Sequence, residues 1–444
     1  MNKAVAITIG GSDPSAGAGI QADCKAFSSI GVHGFTVLTS ITSQNTQQVT
    51  NVFAIPAEVV VEQITTLLQD VKVFTVKTGM LFSKSIIKSV SECLTKDITI
   101  VVDPVMASTT GGALSDESYL DALKQYVLPI ASVVTPNKHE AELLTGKTLV
   151  SLDDMHDACQ IIHEYGVEYV VLKGGHFIHK NAVDVLFDGK DFFDLSLPFH
   201  LGKKAHGSGC TFSALIAGFL ALGYKPLDAI KHAKCQVWSM IRESYHVGGG
   251  VDLVQTKPQH LLPISFINSN DVDMWCALSN AVTDLLVFLP SEFIAEVGMN
   301  IGYARAKASC ADDVCAVDGR ISAGHQQVYC TGSFRFGGSQ HIARVILAAM
   351  THDASLRSAI NLRFSNQLLS TFEDHGFSIG FFDRKNEPKN TSSTMEWGTD
   401  HAFIQCKQTL DVIYDKGGFG KEPMIRVLGK NPQEVTSKVK TVTI

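Results

Sequence analysis

The stretch His206-Gly207-Ser208-Gly209-Cys210 runs directly into Thr211-Phe212-Ser213-Ala214-Leu215-Ile216-Ala217-Gly218-Phe219-Leu220-Ala221, an apolar run of helical length. Glycine lets the backbone turn sharply and bring its N–H groups close to a ligand. The start of a helix adds free N–H groups and the positive end of the helix dipole. The pattern therefore predicts an anion hole at Gly207, Ser208 and Gly209. Cys210 would stand in the first helical turn, where a thiol pKa is commonly lowered. The alternative is a glycine-rich turn before a buried helix, with Cys210 as a small core residue.

The composition of the whole chain limits the classes of function. Its 444 residues are too many for one ordinary core, so more than one domain is expected. A net charge of -7 gives no support to a nucleic-acid-binding surface. The ten cysteines include no Cys-x-x-Cys pair, and no signal peptide or membrane-spanning run is apparent. We therefore expect a reduced, cytoplasmic protein that binds neither nucleic acid nor membrane.

Strand-like and helix-like segments alternate through the first half of the chain. This alternation predicts an α/β domain with a mainly parallel sheet and helices on both faces. Ligands of such sheets bind at the carboxyl ends of the strands. The predicted strands are Ala4–Gly10, Phe35–Thr42, Phe74–Thr78, Ile98–Val102, Ser132–Thr135 and Tyr169–Leu172. The predicted helices include Ile20–Ile30, Pro56–Val71 and Pro226–His246.

Two loops that follow these strands have the composition of binding loops. Gly10–Asp23 is rich in glycine, but it lacks the Lys-Ser or Lys-Thr pair that closes a P-loop. Asp23 would lie one turn into the next helix, where it could accept hydrogen bonds from a polar ligand. In the amide-rich loop Ser43–Gln47, Gln44 offers a donor and an acceptor, which suits a heterocycle with an amino group beside a ring nitrogen. Taken singly, each loop could equally be a solvated turn.

Three further strand ends carry groups that phosphoryl transfer needs. Asp103–Met106 follows one strand, and Asn137 and Glu140 follow the next, on one face of a starting helix. Such oxygen ligands suit Mg²⁺, which also binds substrate phosphates. Lys173, beside two glycines, could reach nucleotide phosphates. Together with the predicted anion hole, these residues supply positioning, a metal ion and a cation for phosphoryl transfer.

In order and spacing, these motifs resemble the hydroxymethylpyrimidine/phosphomethylpyrimidine kinases of thiamine biosynthesis, members of the ribokinase-like superfamily. The resemblance rests on Gly10–Phe27, Ser43–Thr46, Val76–Met80, Asp103–Met106, Thr135–Gly146, Leu172–His176 and His206–Ala214. It implies a ribokinase-like fold, ATP as co-substrate and Mg²⁺ as cofactor. It also implies two successive phosphorylations, of the pyrimidine alcohol and then of its monophosphate.

The resemblance also implies roles for individual residues. The pyrimidine would contact Gly11, Asp23, Gln44, Met80 and Val105. Asn137 and Glu140 would organise Mg²⁺, Lys173 would meet the ATP phosphates, and Gly207, Ser208 and Gly209 would form the anion hole. Cys210 would occupy the position of the catalytic base. A pyridoxal-type kinase is the alternative, and Gln44 and Cys210 favour the pyrimidine.

The pattern changes after residue 250. We expect a kinase domain over 1–255, a linker over 256–263 and a second domain over 264–444, with helices around Met274–Leu286 and Ile342–Met350. Three stretches in it fit a diphosphate site, namely Asp312–Arg320, Phe336–Arg344 and Asp415–Pro423. Arg320 and Lys421 would supply charge, and the turn Gly337, Gly338 and Ser339 would supply backbone donors. The alternative is three exposed turns whose charges are solvated.

Together with Asn361–Phe364, these stretches resemble the ThiN-type thiamine-phosphate synthase domain that is fused behind this kinase in some prokaryotes. The resemblance implies a smaller three-layer α/β/α domain with a mixed sheet, in which Arg320 and His341 are catalytic. The implied reaction joins the pyrimidine diphosphate to thiazole phosphate and releases pyrophosphate. The alternative is a domain that senses thiamine phosphate without making it. We therefore expect a bifunctional enzyme of small-molecule substrates that forms a homo-oligomer, most simply a dimer.

Overall fold

The computed structural model describes residues 3–95, 97–106, 117–175, 181–200, 205–324, 327–388 and 393–443. The chain divides into two compact units, Met1–Ser269 and Asn270–Ile444. The first unit therefore includes the segment predicted as a linker and six residues beyond it. The Leu262 amide donates to Ser239 Oγ at 3.0 Å, and Asn268 hydrogen-bonds the backbone of Asp194 and Ser196. These contacts tie the end of the segment to the first unit.

Strands and helices alternate through most of the first unit. Its strands are β1 (Val5–Ser12), β2 (His33–Gln44), β3 (Val49–Ala54), β4 (Thr75–Thr78), β5 (Thr99–Val102), β6 (Val133–Val134), β7 (Tyr169–Leu172), β8 (Asn181–Phe187), β9 (Phe192–Pro198), β10 (Ala205–His206) and β11 (Asp252–Leu253). Its helices are α1 (Gly19–Ser29), α2 (Ala57–Asp70), α3 (Lys84–Cys93), α4 (Glu117–Ala122), α5 (Lys138–Thr145), α6 (Leu152–His163), α7 (Ser208–Ala221) and α8 (Pro226–Arg242).

A nine-stranded sheet forms the centre of the first unit, in the order β3-β2-β1-β4-β5-β6-β7-β8-β9. Six neighbouring strands of this sheet run parallel to one another, namely β2, β1, β4, β5, β6 and β7. The remaining strands β3, β8 and β9 pair antiparallel with their neighbours, and β3 and β9 form the two edges of the sheet. The prediction of a mainly parallel sheet is therefore confirmed. The short β10 and β11 form a separate parallel pair.

Helices cover both faces of this sheet, as predicted. One face packs against α2, α3, α5 and α6, which contribute buried residues such as Ile64, Ile87 and Ile162. The other face packs against α1, α7 and α8. Helix α7 is buried from Thr211 to Phe219, which accounts for its uninterrupted apolar sequence. None of the helices in the described part of the chain is long and apolar enough to cross a membrane.

The second unit has a mixed sheet between two layers of helices, as expected. Its helices are α9 (Val272–Phe288), α10 (Gln340–His352), α11 (Asn366–Asp374), α12 (Thr394–Cys406) and α13 (Pro432–Thr443). Its strands are β12 (Ile301–Ala304), β13 (Val314–Val317), β14 (Arg320–Gly324), β15 (Gln327–Thr331), β16 (Phe334–Phe336), β17 (Ser358–Arg363), β18 (Ile379–Phe381), β19 (Val412–Asp415) and β20 (Met424–Gly429).

The sheet of the second unit has the order β16-β13-β12-β17-β20-β19-β18. All neighbouring strands in it are antiparallel except β18 and β19, which are parallel. Helices α10 and α12 share a core with one face of the sheet. Helices α9 and α13 contact its strands and each other. Strands β14 and β15 form a separate hairpin.

Candidate active sites

One cavity opens where the parallel strands of the first unit end. Strands β1, β4, β5, β6 and β7 are parallel neighbours, so their carboxyl ends meet at one edge of the sheet. Residues at or after the ends of β1, β2, β4 and β5 line the cavity, together with residues of β3 and the starts of α1 and α7. All five residues expected to contact a pyrimidine lie in its wall, namely Gly11, Asp23, Gln44, Met80 and Val105. Cys210 lies in the same wall.

A fully buried ion pair lies in the wall of this cavity. Asp23 Oδ2 accepts hydrogen bonds from Lys77 Nζ at 2.8 Å and from Thr8 Oγ1 at 2.6 Å. Although burial opposes it, the charge of Asp23 raises the pKa of Lys77, so the lysine stays charged. Asp23 Oδ1 is buried and has no hydrogen-bond partner among the described residues. Asp23 thus keeps one oxygen for a donor on a ligand. Sequence analysis did not single out Lys77, although a lysine within an apolar strand was a visible signal.

A chain of polar side chains orients Gln44. Its Nε2 lies 3.3 Å from His206 Nε2, and that ring nitrogen lies 3.6 Å from Asp13 Oδ2. Asp13 in turn accepts the amides of Gly17 and Ala18 at 3.1 and 2.7 Å, which fixes the glycine-rich loop. Although burial opposes it, hydrogen bonds from His206, Ser15 and Ala18 lower the pKa of Asp13 to about 2. Asp13 and His206 therefore position Gln44, a role that the sequence did not suggest.

The predicted anion hole is a tight turn at the start of α7. Gly207 has a φ of +82°, and a Cβ there would lie 1.7 Å from Gly17 O, so only glycine fits. No side chain caps the start of α7 at Ser208. A Cβ on Gly209 would lie 3.3 Å from Lys173 Nζ, so the lysine reaches this turn. Free backbone N–H groups and one ammonium group therefore converge here.

The expectation of a lowered thiol pKa at Cys210 is wrong. Burial raises the pKa of this thiol to about 12, even though the Lys77 ammonium opposes the rise. The nearby carboxylates of Asp103 and Asp23 contribute to this rise. The helix start lies in a desolvated cavity, where the loss of hydration outweighs the helix dipole and Lys77. Cys210 is therefore a neutral thiol at neutral pH in the ligand-free protein.

Asn137 and Glu140 hold the start of α5 by a reciprocal pair of hydrogen bonds. Glu140 Oε2 accepts the Asn137 amide at 2.7 Å, and Asn137 Oδ1 accepts the Glu140 amide at 3.0 Å. Burial raises the pKa of Glu140 to about 7, although Lys173 opposes the rise. Lys173 Nζ lies 3.2 Å from Asp103 Oδ1. His176, which ends the motif Leu172–His176, lies outside the described residues.

In the second unit the positive charge of Arg320 acts on His341. Arg320 is exposed at the start of β14, where its side chain donates to Val297 O and Gly319 O. His341 is the second residue of α10, and its Nε2 is buried without a partner among the described residues. Burial and the positive charges of Arg426, Arg384 and Arg320 together lower the pKa of His341 to about 4, although Asp415 opposes the shift. His341 is therefore neutral at neutral pH and lies in a positive field.

The glycine turn before α10 takes the predicted form. Gly337 has a φ of +72°, and a Cβ on Gly338 would lie 2.6 Å from Ala316 O. Ser339 precedes α10 without a side-chain cap. Lys421, the other predicted cation, contacts Thr394 Oγ1 at 3.2 Å and lies 3.9 Å from Glu387 Oε2.

Sequence analysis missed two arginines of this site. Arg426 lies within β20 and is fully buried, with its Nη1 at 2.8 Å from Asp415 Oδ2. Arg384 donates from Nε and Nη2 to the two oxygens of the same carboxylate, at 2.6 and 3.1 Å. The available signal was a single arginine within the apolar strand sequence Met-Ile-Arg-Val-Leu-Gly at 424–429.

Known proteins resemble both units. Residues 13–255 match the family described as phosphomethylpyrimidine kinase, and residues 278–441 match the family described as thiamine-phosphate synthase ThiN. The chain is 34% identical to the bifunctional thiamine biosynthesis protein ThiDN of Methanocaldococcus jannaschii, over 99% of this chain and 98% of that protein. It is 39% identical to the hydroxymethylpyrimidine/phosphomethylpyrimidine kinase of Aquifex aeolicus, over 56% of this chain and 99% of that one.

Solved structures of kinases resemble the first unit. The pyridoxal kinase from Staphylococcus aureus in complex with ADP aligns with a TM-score of 0.54 and 34% identity. The alignment covers 58% of this chain and 94% of that one. This likeness confirms the fold predicted for the first unit, and the bound nucleotide agrees with ATP as the phosphoryl donor.

Proposed function

Because the chain belongs to the phosphomethylpyrimidine kinase family and also carries the ThiN domain, we propose how its residues perform two parts of thiamine biosynthesis. The chain is a bifunctional enzyme. With ATP as co-substrate, its kinase phosphorylates 4-amino-5-hydroxymethyl-2-methylpyrimidine and then the monophosphate. Its synthase couples the resulting diphosphate with thiazole phosphate to give thiamine phosphate and pyrophosphate. The convergence of Asp23, Gln44 and Cys210 on one cavity, with the Gly207–Gly209 turn directly before Cys210, carries the kinase assignment.

In the kinase reaction, the pyrimidine ring lies against Met80 and Val105. Gln44, oriented by His206, pairs with the amino group and the adjacent ring nitrogen. The unpartnered Oδ1 of Asp23 accepts a further hydrogen bond from the substrate. The acceptor oxygen faces Cys210, while the turn at Gly207–Gly209 and Lys173 stabilise charge on the transferred phosphoryl group. Because transfer to the monophosphate needs the same stabilisation, one cavity serves both steps.

The pKa of Cys210 restricts its role as a base. A thiol with a pKa of about 12 is already protonated at neutral pH, so it has no site for the hydroxyl proton before transfer begins. In a largely dissociative transfer, the acceptor hydroxyl becomes strongly acidic only late in the reaction. We therefore assign the neutral thiol of Cys210 to positioning the hydroxyl. It takes the hydroxyl proton late in the reaction only as the thiolate, after its own proton has left to solvent, and Lys77 stabilises that thiolate.

Binding of Mg²⁺ at Asn137 and Glu140 is part of this proposal. Amide and carboxylate oxygens are ligands that suit the ion. Within the described ranges, no group of three or more His, Cys, Asp or Glu side chains could hold a metal by itself. This agrees with an ion bound mainly through ATP phosphates and water, with Glu140 as the protein's contribution. When bound, Mg²⁺ would neutralise charge on the phosphates.

In the synthase reaction, the bond between the pyrimidine methylene carbon and the diphosphate oxygen breaks, and the thiazole nitrogen bonds to that carbon. The departing pyrophosphate takes the electron pair of the broken bond. Arg320 neutralises the leaving group, and the neutral imidazole of His341 donates a hydrogen bond to it. The turn at Gly337–Ser339 adds backbone donors, and Lys421 adds charge at the rim. The buried Nε2 of His341 without a partner carries this assignment.

Pyridoxal is a second candidate acceptor of the kinase. Solved relatives named pyridoxal kinase, one of them bound to pyridoxal, align with the first unit at 34% identity. A direct competition between pyridoxal and the pyrimidine alcohol for limiting ATP decides between the two acceptors. We expect the pyrimidine to be used preferentially, because Gln44 offers both a donor and an acceptor to its aminopyrimidine edge.

One experiment tests the whole assignment. The purified full chain is incubated with the pyrimidine alcohol, ATP, Mg²⁺ and thiazole phosphate, and thiamine phosphate is measured. Its formation would support both activities. Accumulation of the pyrimidine diphosphate without thiamine phosphate would instead favour a second unit that only binds thiamine phosphate. We also expect the enzyme to be cytoplasmic and to form a homo-oligomer, namely a dimer. Light scattering of the purified protein tests whether it is a dimer.

A further inference from the structure

The buried arginine cluster of the second unit carries more positive charge than its structure requires. Asp415 is fully buried and accepts two hydrogen bonds from Arg384 and one from the Gly417 amide at 2.8 Å. This set already pairs the carboxylate. Arg426 adds a second cation with no exposed surface. The cluster Arg384–Asp415–Arg426 therefore has a net charge of +1 inside the protein, which is unfavourable unless an anion joins it.

The guanidinium group of Arg426 has unused donors. Its Nη1 meets Asp415, but Nε and Nη2 are buried without hydrogen-bond partners among the described residues. The Phe382 ring lies 5.4 Å from the guanidinium carbon and offers only its face. A buried guanidinium with unpaired N–H groups is expensive, because each unpaired donor loses its hydration. These donors fit the oxygens of a phosphate group.

Strand pairing places this cluster in the layer that contains α10. Arg426 lies opposite Ile413 in the sheet, and Asp415 and Leu428 lie two residues from these positions, so all four share one face. Ile413 and Leu428 belong to the core between that face and helices α10 and α12. The positive charge of Arg426 also acts on the His341 ring in the first turn of α10. The unused donors, the unpartnered His341 Nε2 and the uncapped start of α10 therefore belong to one site.

We infer that Arg426 is a phosphate-binding residue of the synthase, and that Asp415 and Arg384 hold its guanidinium in place beneath the start of α10. This inference rests on the proposed synthase function and assigns to it a residue within the sheet. The phosphate belongs either to the pyrimidine diphosphate, and hence to the pyrophosphate that leaves, or to thiazole phosphate. Arg320 lies on the exposed side of the same site, so the two arginines would contact the anion from different sides.

The test uses the full chain and the variants Arg426→Lys and Arg426→Met. The lysine variant keeps the charge but loses the forked donors, and the methionine variant keeps only the apolar stem. Arg357→Met is the control, because Arg357 is likewise stacked on an aromatic ring, Tyr303, but is only half-buried and directly precedes β17. Calorimetry measures binding of inorganic pyrophosphate and, separately, of thiazole phosphate.

We expect the dissociation constant for one of these two ligands to rise by about ten- to a hundredfold in Arg426→Lys and by more in Arg426→Met. The KM for the matching substrate should rise with it, while the kinase rate and the control stay at wild-type levels. An effect on pyrophosphate places Arg426 at the diphosphate, and an effect on thiazole phosphate places it at the second substrate.

Two outcomes would overturn the inference. If Arg426→Lys binds both ligands as the wild type does, the arginine is not a phosphate ligand. If the lysine variant fails to fold, as judged by circular dichroism, the guanidinium is a structural requirement. Failure of the proposed function looks different, because the wild type itself would then make no thiamine phosphate from ready-made substrates, whatever Arg426 does to pyrophosphate binding.

Discussion

The two candidate sites both bind phosphate, but they balance charge in opposite ways. In the kinase cavity each buried lysine has its own carboxylate, Lys77 with Asp23 and Lys173 with Asp103. Glu140 lies near the second pair and adds a further acid. In the synthase site, the positive charges of Arg320, Arg384 and Arg426 act on His341, and the carboxylate of Asp415 opposes them. The first site has no surplus of fixed positive charge, and the second has a clear surplus.

This difference follows from what each reaction must stabilise. A kinase receives its phosphate on a nucleotide that brings a divalent cation, so the protein needs to supply mainly orientation and backbone donors. A synthase that expels pyrophosphate must stabilise a highly charged leaving group with its own side chains. The comparison therefore predicts that neutral substitutions damage the two sites in different ways.

The largest effect is expected at Cys210. Cys210→Ala should lower kinase turnover by about a hundred- to ten-thousandfold, because the acceptor hydroxyl loses the group that positions it and takes its proton. ATP binding should persist, since the turn at Gly207–Gly209 and Lys173 are unchanged. Turnover is measured with the pyrimidine alcohol, and nucleotide binding by calorimetry. Wild-type turnover in the alanine variant would reduce Cys210 to a packing residue.

The synthase should lose somewhat less when one of its charged or polar groups is removed. Arg320→Ala and His341→Ala should each lower thiamine-phosphate formation from ready-made diphosphate by about a hundred- to a thousandfold, as expected for loss of one donor to a developing anion. Both kinase steps should remain intact, because these residues belong to the second unit.

A split between rate and affinity separates a synthase from a sensor. If each variant only weakens binding of thiamine phosphate and the wild type makes no product, the second unit is a binding domain. Arg335→Ala serves as a control, because Arg335 is an exposed arginine of the same unit that pairs with Asp318 at 2.7 Å. This control variant should keep most of its synthase rate.

Substrate choice in the kinase should change by a smaller factor. Gln44→Leu leaves the aminopyrimidine edge unpaired, which should lower kcat/KM for the pyrimidine alcohol by about ten- to a hundredfold while ATP affinity is unchanged. Gln47→Leu is the control, because Gln47 lies in the same loop on the exposed side. An equal loss in both variants would show that the loop, rather than the amide of Gln44, matters.

The sequence predicted the parallel centre of the first sheet because each of those strands is an apolar run followed by polar or glycine-rich residues. It did not predict β3 or β9, whose edge positions leave them half exposed and without a strong apolar pattern, nor β8, which lies beside β9. Asp23, Gln44 and Lys173 were found because they lie in polar or glycine-rich stretches after predicted strands, whereas Gly11, Met80 and Val105 came from the family resemblance.

Residues that act from within an element were harder to find. Lys77 and Arg426 lie in the middle of strand sequences, where a charged residue gains a role only through a partner far away in the chain. The raised thiol pKa of Cys210 was also missed, since a helix start lowers a thiol pKa only where burial does not dominate. Both errors arise from tertiary burial, which local sequence patterns do not contain.

The smallest expected effect is a dependence of stability on pH that distinguishes the synthase site. Burial and three arginines lower the pKa of His341 from 6.5 to about 4. Above pH 6.5 the imidazole is neutral in both the folded and the unfolded protein, so it contributes nothing. As the pH falls from 6.5 towards 4, the unfolded chain binds a proton that the folded site resists, and stability decreases by at most about 3 kcal/mol. Below pH 4 the loss stops.

Thermal unfolding of the full chain between pH 4 and pH 7 measures this effect, with His341→Gln as the variant that cannot titrate. Subtracting the two curves removes contributions from other groups, such as His260, whose pKa burial also lowers to about 4. Saturating pyrophosphate should shrink the difference between the two proteins, because an anion beside His341 offsets the arginines and raises its pKa. If pyrophosphate leaves the pH dependence of this stability difference unchanged, the anion binds away from His341. The contrast between a balanced kinase cavity and a positive synthase site would then no longer explain where pyrophosphate binds.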